Sequence, residues 1–363
     1  MEIKPNARHG IVYRAENTFF RYQGWPSVTR DENGILYAAS SAFRMQHVDP
    51  SGKTAMFVSR NEGETWTKPI VVNDSYYDDR DAGIVSLGDG KLLLSWFSLG
   101  PKFYTDLKEH AKFDWMPKGQ AAIIPGMVDS WEHVPEEKRA AEGAFVCLSR
   151  DGGVTWTDPI PSPVNCPHGP AKLKNGSVLY FGKRWGTPTP GMIEAYTSHD
   201  DGLTWEHTGT VPLPEGLTAD FLHEPHVVEL PNGRLLGAIR VHTVPVTMYT
   251  TFSDDKGKTW SQPMATGVDG YPPHLMVHSS GAVICSYCRR GGPGNQSERA
   301  LVSYDNGETW ADDYEIHGDV PFCDFGYPAS VELADGSILT VYYQCWPGDS
   351  WCSTLYSKWK LEK

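Results

Sequence analysis

A chain of 363 residues is long enough for one large domain or two small ones, and 40% hydrophobic against 21% charged residues describe a globular protein with a sizeable core. Thirty-two Lys and Arg against 45 Asp and Glu leave a net charge of −13. That balance argues against general binding to nucleic acid or an anionic membrane, which need a basic face, but leaves room for a local basic pocket. No apolar run approaches the ~20 residues of a membrane span. The polar start MEIKPNARHG lacks a signal-peptide core, so a cytoplasmic location is expected. Seven Cys, an odd number, read as reduced structural cysteine.

In chain order, six segments read as strand, tight turn, strand. The first, WPSVTRDENGILYAAS from Trp25, is followed by the octapeptide SRNEGETW at 59–66. The second, AGIVSLGDGKLLLSWF from Ala82, precedes an insertion at about 100–143 and then SRDGGVTW at 149–156. HGPAKLKNGSVLYFGK from His168 leads to SHDDGLTW at 198–205, and EPHVVELPNGRLLGAIR from Glu224 to SDDKGKTW at 253–260. PPHLMVHSSGAVICSYC from Pro272 leads to SYDNGETW at 303–310. The sixth segment, YPASVELADGSILTVYY from Tyr327, has no octapeptide after it. Five of the six turn on Asn-Gly or Asp-Gly, a strong hairpin signal. In the octapeptide S-x-D/N-x-G-x-T-W, Asp or Asn caps the turn, Gly takes positive φ, Ser and Thr bond across it, and Trp packs beneath.

Each unit is therefore hairpin, strand, octapeptide, strand, and six such units predict an all-β, six-bladed β-propeller with four-stranded blades, spanning 1–363 as one domain. The last unit takes residues 353–361 as its third strand and 11–14, from the N-terminus, as its fourth, closing the ring. The insertion joins the second and third strands of blade II, on the face opposite the octapeptides, where it can wall a central pocket. EHAKF and PEEKRAAEGA within it are helix candidates.

On that face the first strands start with Asp79-Arg80-Asp81, His168, His223-Glu224-Pro225-His226, His274, and Asp324 with Tyr327. The second strands end with Arg44, Arg184, Arg240 and Arg289-Arg290, and Arg299 opens the third strand of unit five. So many cations around one axis point to recognition of a carboxylate or similar anion. Trp185, Trp346 and Trp351, near strand ends, are candidates for stacking on a sugar ring. GGPGN at 291 is not followed by a helix and reads as a loop; with no phosphate loop and no ligand-like spacing, neither a cofactor nor a metal is expected.

The repeated octapeptide resembles the Asp-box of the sialidase (neuraminidase) superfamily, over nearly the whole chain. The resemblance implies a site with three arginines on the substrate carboxylate, a Tyr nucleophile paired with a Glu, and an Asp acid/base. It places the nucleophile on Tyr327, its partner on Glu224, and the second and third arginines on Arg240 and Arg299. The first arginine is missing: Gly24-Trp25-Pro26 stands where the family has Arg-Ile-Pro, and Arg21, Arg44 or Arg80 is a candidate substitute. Asp49 is nearest to the acid/base by position, with Asp81 its rival. Arg289, His168, His226 and His274 complete the substrate-binding candidates, and the histidines are not usual for the family.

The implied function is an exo-acting glycoside hydrolase releasing a terminal acidic sugar, sialic acid or a related ulosonic or uronic acid, from an oligosaccharide or glycoconjugate. Two other classes compete: a lyase or His-dependent glycosidase on the same scaffold, and a glycan-binding propeller without catalysis. Binding alone needs no nucleophile and base, so Glu224 with Tyr327 argues against the last.

Overall fold

In the computed structural model the described residues are all but 101–102, 106–117, 132, 136–138, 140–141, 185–190, 292–293, 319, 321–323 and 363. The Asn-Gly and Asp-Gly pairs close hairpins between first and second strands, and each octapeptide closes the next turn out. Blade I is built from Tyr22–Arg30, Leu36–Arg44, Lys53–Ser59 and Ile70–Asn73. Blade II follows with Asp78–Gly88, Lys91–Leu99, Gly143–Ser149 and Ile160–Ser162. Blade III has a broken innermost strand, Val164–Asn165 and Ala171–Lys172, before Val178–Arg184, Ile193–Ser198 and Glu206–Thr210.

Blade IV comprises Leu222–Glu229, Leu235–Val241, Thr247–Ser253 and Met264–Asp269; blade V comprises Tyr271–Val277, Val283–Arg290, Gln296–Ser303 and Asp312–His317. Blade VI has Gly326–Glu332, Ile338–Cys345 and Cys352–Trp359 from the C-terminal part of the chain. Its fourth strand is Arg8–Tyr13, antiparallel to Cys352–Trp359, so the N-terminus closes the ring as the sequence predicts. One strand was not anticipated: Glu2–Ile3 runs parallel to the edge of blade V.

The Asp-box turns follow their expected chemistry. In blade II, Asp151 accepts from the Thr155 amide at 2.9 Å and the Thr155 hydroxyl at 2.6 Å, while Ser149 Oγ accepts from the Gly153 amide at 2.9 Å. Asp200, Asp255 and Asp305 repeat the pattern, and Asn61 fills the same place in blade I. Each box also reaches the preceding blade. A Cβ on Gly202 of blade III, at φ 91°, would lie 2.7 Å from Leu93 of blade II. Between successive blades lie six apolar clusters, such as Phe181, Ile239 and Trp260 between blades III and IV. The core is thus a ring of inter-blade seams, built from second strands buried on both faces.

The insertion carries a helix, α1 (Lys118–Trp131), which neither candidate segment foretold. EHAKF lies outside the described residues, and the described part of PEEKRAAEGA before Gly143 is not helical. Ile124, Val128 and Trp131 pack with Tyr104 onto Met45, on the pocket end of blade I. The Tyr104 hydroxyl bonds the Asp78 carboxylate and the Asp49 carbonyl, the latter at 3.2 Å, which fastens the insertion to blades I and II.

Two glycine substitutions separate backbone strain from packing. Gly233, at φ 86° in a hairpin turn, has open space around a Cβ, so Gly233→Ala loses about 1–2 kcal/mol. Gly202→Ala adds the about 1–3 kcal/mol of overpacking against Leu93. Denaturant midpoints of the two variants should differ in that order; equal losses would remove the inter-blade role of the box.

Candidate active site

The innermost strands carry the site because they share an irregularity. The ladder slips between Gly24 and Ser27, Arg80 and Gly83, His223 and His226, and Gly326 and Ala329. Inside each of these bulges one non-glycine residue takes positive φ: Trp25 (51°), Asp81 (53°), Glu224 (44°) and Tyr327 (54°). Each stands at one repeat position, a fixed distance before the hairpin residues Asn33, Asp89, Asn232 and Asp335. Three are followed by Pro, which has no amide to offer the interrupted ladder. Such backbone costs roughly 1–3 kcal/mol per residue and gathers at functional sites.

Three of these four side chains form one polar group. The Tyr327 hydroxyl donates to Glu224 Oε1 at 2.5 Å, and Arg240 Nη1 donates to Glu224 Oε2 at 2.6 Å. Burial pushes the Tyr327 hydroxyl well above the ordinary tyrosine value, and the charges of Glu224 and Asp81 add to that. Burial also pushes Glu224 up, but Arg240 and the Tyr327 hydroxyl outweigh it and hold the carboxyl below its usual value. Asp81 moves the other way. Burial drives it up to about 7, with Arg80 opposing and Glu224 adding. Two carboxyls whose surroundings push them apart can hold different protonation states in one pocket.

The arginines divide by what their donors already hold. Arg240 lies over the Tyr271 ring at 4.0 Å and Arg290 over the same ring at 5.3 Å. Arg290 also donates to the Phe325 carbonyl and, at 3.0 Å, to the Tyr343 hydroxyl. Its neighbour Arg289 points to the other blade face and pairs with Asp313 at 3.1 Å. Arg299, 1% exposed, bonds Asp313, Glu315 and Glu2 at the rim of blade V and is not brought to the pocket. Arg44 is fully buried against Asp78 and the carbonyls of Gln46, His47 and Asp49. Arg80 shares Asp78 at 3.0 Å and lies 4.1 Å over the Trp25 ring. Arg184, half exposed, pairs with Glu194.

Asp49 does not face the pocket. It is fully buried and caps a turn, accepting from the Met45 amide and, at 2.7 Å, from the Ser51 amide. The histidines lie beneath the site. His226 Nδ1 accepts from the Leu275 amide at 3.0 Å and His274 Nδ1 from the Ser330 amide at 3.3 Å, each in the next blade. Their rings stack at 4.4 Å. His168 stands edge-on to both and 6.4 Å from the Tyr327 ring, with neither nitrogen bonded among the described residues. Burial keeps all three neutral at ordinary pH, lowering His226 to about 3 and the other two well below the usual histidine value. Among the described residues no group of His, Cys, Asp and Glu is arranged to hold a metal. Trp351 stacks under Arg21 at 4.4 Å, Trp346 is partly buried, and Trp185 lies outside the described residues.

Sequence reasoning passed over His47 and left Arg290 behind Arg289. Strand parity is the signal that separates the two arginines. His47 has no motif; its Nδ1 meets Asp324 Oδ1 at 3.0 Å, 277 residues away in sequence.

Asp81 supplies a stability test. Its carboxyl is raised from 3.8 to about 7 in the fold, so the protonated form favours folding. That contribution is complete below pH ~4, the unfolded value, and is lost as pH rises through about 7. Asp81→Asn should therefore gain stability over the native chain as pH rises across this window, read from thermal midpoints at pH 4 and 8. A constant difference would refute the assignment.

The family description of a BNR repeat-like domain matches residues 129–338. No curated protein matches the sequence. Among solved structures, a protein of unknown function from Dyadobacter fermentans has 22% identity and a TM-score of 0.76, over 99% of this chain and 100% of its own. The NanB sialidase of Streptococcus pneumoniae has 15% identity and a TM-score of 0.71, over 97% of this chain and 70% of its own. The intramolecular trans-sialidase of Ruminococcus gnavus has 14% identity and a TM-score of 0.65, over 97% of each chain. Likeness at these identities establishes the fold alone, a propeller shared with these structures. With the repeat pattern and the six blades, the matched segment shows that the chain belongs to the BNR repeat-like domain family.

Proposed function

We propose that the chain is an exo-acting glycoside hydrolase that releases a terminal acidic sugar, with Tyr327 as nucleophile, Glu224 as its base, and Arg240 and Arg290 as ligands of the sugar carboxylate. The contact of 2.5 Å between the Tyr327 hydroxyl and Glu224 carries the reading. A phenol held that far above its usual range is a poor nucleophile alone, and the carboxylate supplies what it lacks by taking the proton during attack. A neutral attacking oxygen also avoids the repulsion that a carboxylate nucleophile would feel beside an acidic sugar.

In the first step the Tyr327 oxygen bonds the anomeric carbon, its proton passes to Glu224, and the bond to the departing oxygen breaks as that oxygen gains a proton. In the second step water attacks the same carbon, the bond to Tyr327 breaks, and Glu224 returns the proton. Two inversions retain the anomeric configuration. Asp81, protonated up to about neutrality, donates a hydrogen bond to a sugar oxygen instead of placing a second charge beside Glu224. Sialidases and a trans-sialidase among the similar structures support a sialylated glycan as the first substrate to try. Gly24, where the resemblance puts the first arginine, favours a second reading, a terminal uronic acid, whose carboxylate is not on the anomeric carbon.

The test is hydrolysis of chromogenic sialosides and uronides by the native chain and by Tyr327→Phe. We expect turnover of one class, loss of at least about a thousandfold in the variant, and retained configuration by NMR. Activity should fall at acidic pH as Glu224 gains a proton, through a value below the ordinary carboxylate one. No turnover of either class, or turnover indifferent to the Tyr327 hydroxyl, would refute the proposal.

A further inference from the structure

We propose that His47, oriented by Asp324, is the proton-transfer residue that serves the departing oxygen; this rests on the hydrolase reading above. Asp49, the residue nearest to that role by sequence, is expended on a turn, and His47 stands two residues before it. His47 Nδ1 lies 3.0 Å from Asp324 Oδ1. Asp324 also accepts from the Tyr22 hydroxyl at 2.7 Å and the Tyr343 hydroxyl at 2.9 Å. Burial would push Asp324 up, but the His47 ring and these two hydroxyls hold it at about 2, so it is an ionised acceptor. An acceptor-only carboxylate fixes the proton on Nδ1 and leaves Nε2 to exchange one. Nε2 has no hydrogen bond among the described residues, and the side chain is 36% exposed.

The backbone of His47 is fixed as firmly as its ring. Its carbonyl accepts from Arg44 at 3.0 Å and from Arg80 at 3.3 Å. The Asp49 cap and Tyr104 of the insertion close the same turn. The charged candidates of blade I thus converge on positioning one imidazole. Trp25 meets the His47 ring edge-on at 4.9 Å and the Tyr327 ring at 6.4 Å. The two rings therefore pack on the same buried indole, an arrangement that suits an acid and a nucleophile acting on different bonds of one sugar.

In the first step the imidazolium gives its Nε2 proton to the departing oxygen as the bond to the anomeric carbon breaks. The neutral ring then takes a proton from the attacking water as the new carbon–oxygen bond forms. The groups facing the ring are Asp324, Tyr22 and Trp25, with the guanidiniums of Arg44 and Arg80 behind the turn. Burial lowers His47 below the usual histidine value, Asp324 raises it, and the two arginines lower it further. The imidazolium is lost as pH rises, so activity falls on the alkaline side.

The decisive comparison uses one acidic sugar with two aglycones, 4-nitrophenol and a sugar alcohol. His47→Asn should cut turnover of the unactivated glycoside by about 10²–10⁴-fold and of the nitrophenyl glycoside by no more than about tenfold, and shift the alkaline limb up to the one set by Asp81 at about 7. Asp324 acts through His47, so Asp324→Asn should move that limb to lower pH. Equal losses on both aglycones with an unmoved limb would overturn the proposal while leaving Tyr327 in its role. Indifference to Tyr327→Phe would instead remove the hydrolase reading. Independently of turnover, ¹⁵N NMR of the native chain should show His47 with its proton on Nδ1 in the neutral form; the Nε2–H tautomer would overturn the assignment.

Discussion

A propeller can present chemistry at its axis only if a side chain leaves the plane of an innermost strand, and here positive φ inside a bulge does this. Trp25, Asp81, Glu224 and Tyr327 all occupy this one repeat position. At roughly 1–3 kcal/mol each, the four are strained by an amount comparable with the net stability of a domain. The seams between blades offset that strain. Asp-box turns press glycines into the preceding blade, and each seam buries a cluster of branched and aromatic side chains. Rigidity at the rim and strain at the axis are two ends of the same strands.

The electrostatics follow from the same repeat. Because equivalent positions converge, Glu224 comes close enough to Asp81 to raise its cost of ionisation, and the asymmetry is set by their neighbours. Arg240 bonds Glu224 directly, whereas Arg80 gives its bond to Asp78. One carboxyl is therefore ionised and the other neutral near pH 6. The nearby histidines are neutral because burial disfavours the imidazolium, and His226 and His274 give their Nδ1 atoms to amides of the next blade.

The fold was legible because its signals are local and repeated: Asn-Gly turns, Asp-boxes and apolar second strands each recur within a few residues. The Tyr327 and Glu224 pair was reached only through the family resemblance of their segments, and the fold shows that both stand at a fixed distance before a hairpin turn. The arginines were harder. Composition shows cations at strand ends, but a one-residue change of parity separates Arg289, tied to Asp313, from Arg290, beside Tyr271. Arg299 and Asp49 fail for a related reason: each is already saturated by partners that only the folded chain brings near. The pairing of His47 with Asp324 spans most of the sequence and leaves no local trace. The insertion misled because its helix, with Pro125 inside it, has no acidic residue in its first turn and no basic residue in its last.

The closure of the ring also orders events in time. Arg8–Tyr13 precedes blades I to V in the chain, yet its partner Cys352–Trp359 follows them. The first few residues extend this clasp to blade V, where the terminal amine bonds the Ala311 carbonyl at 2.6 Å. Blades I to V can form as the chain emerges, but blade VI must await the final strand, with the N-terminal segment kept free to receive it. Until then Tyr327 has no completed blade behind it. The contact between Tyr327 and Glu224 is thus backed by a complete blade only once strands from both ends of the propeller have met.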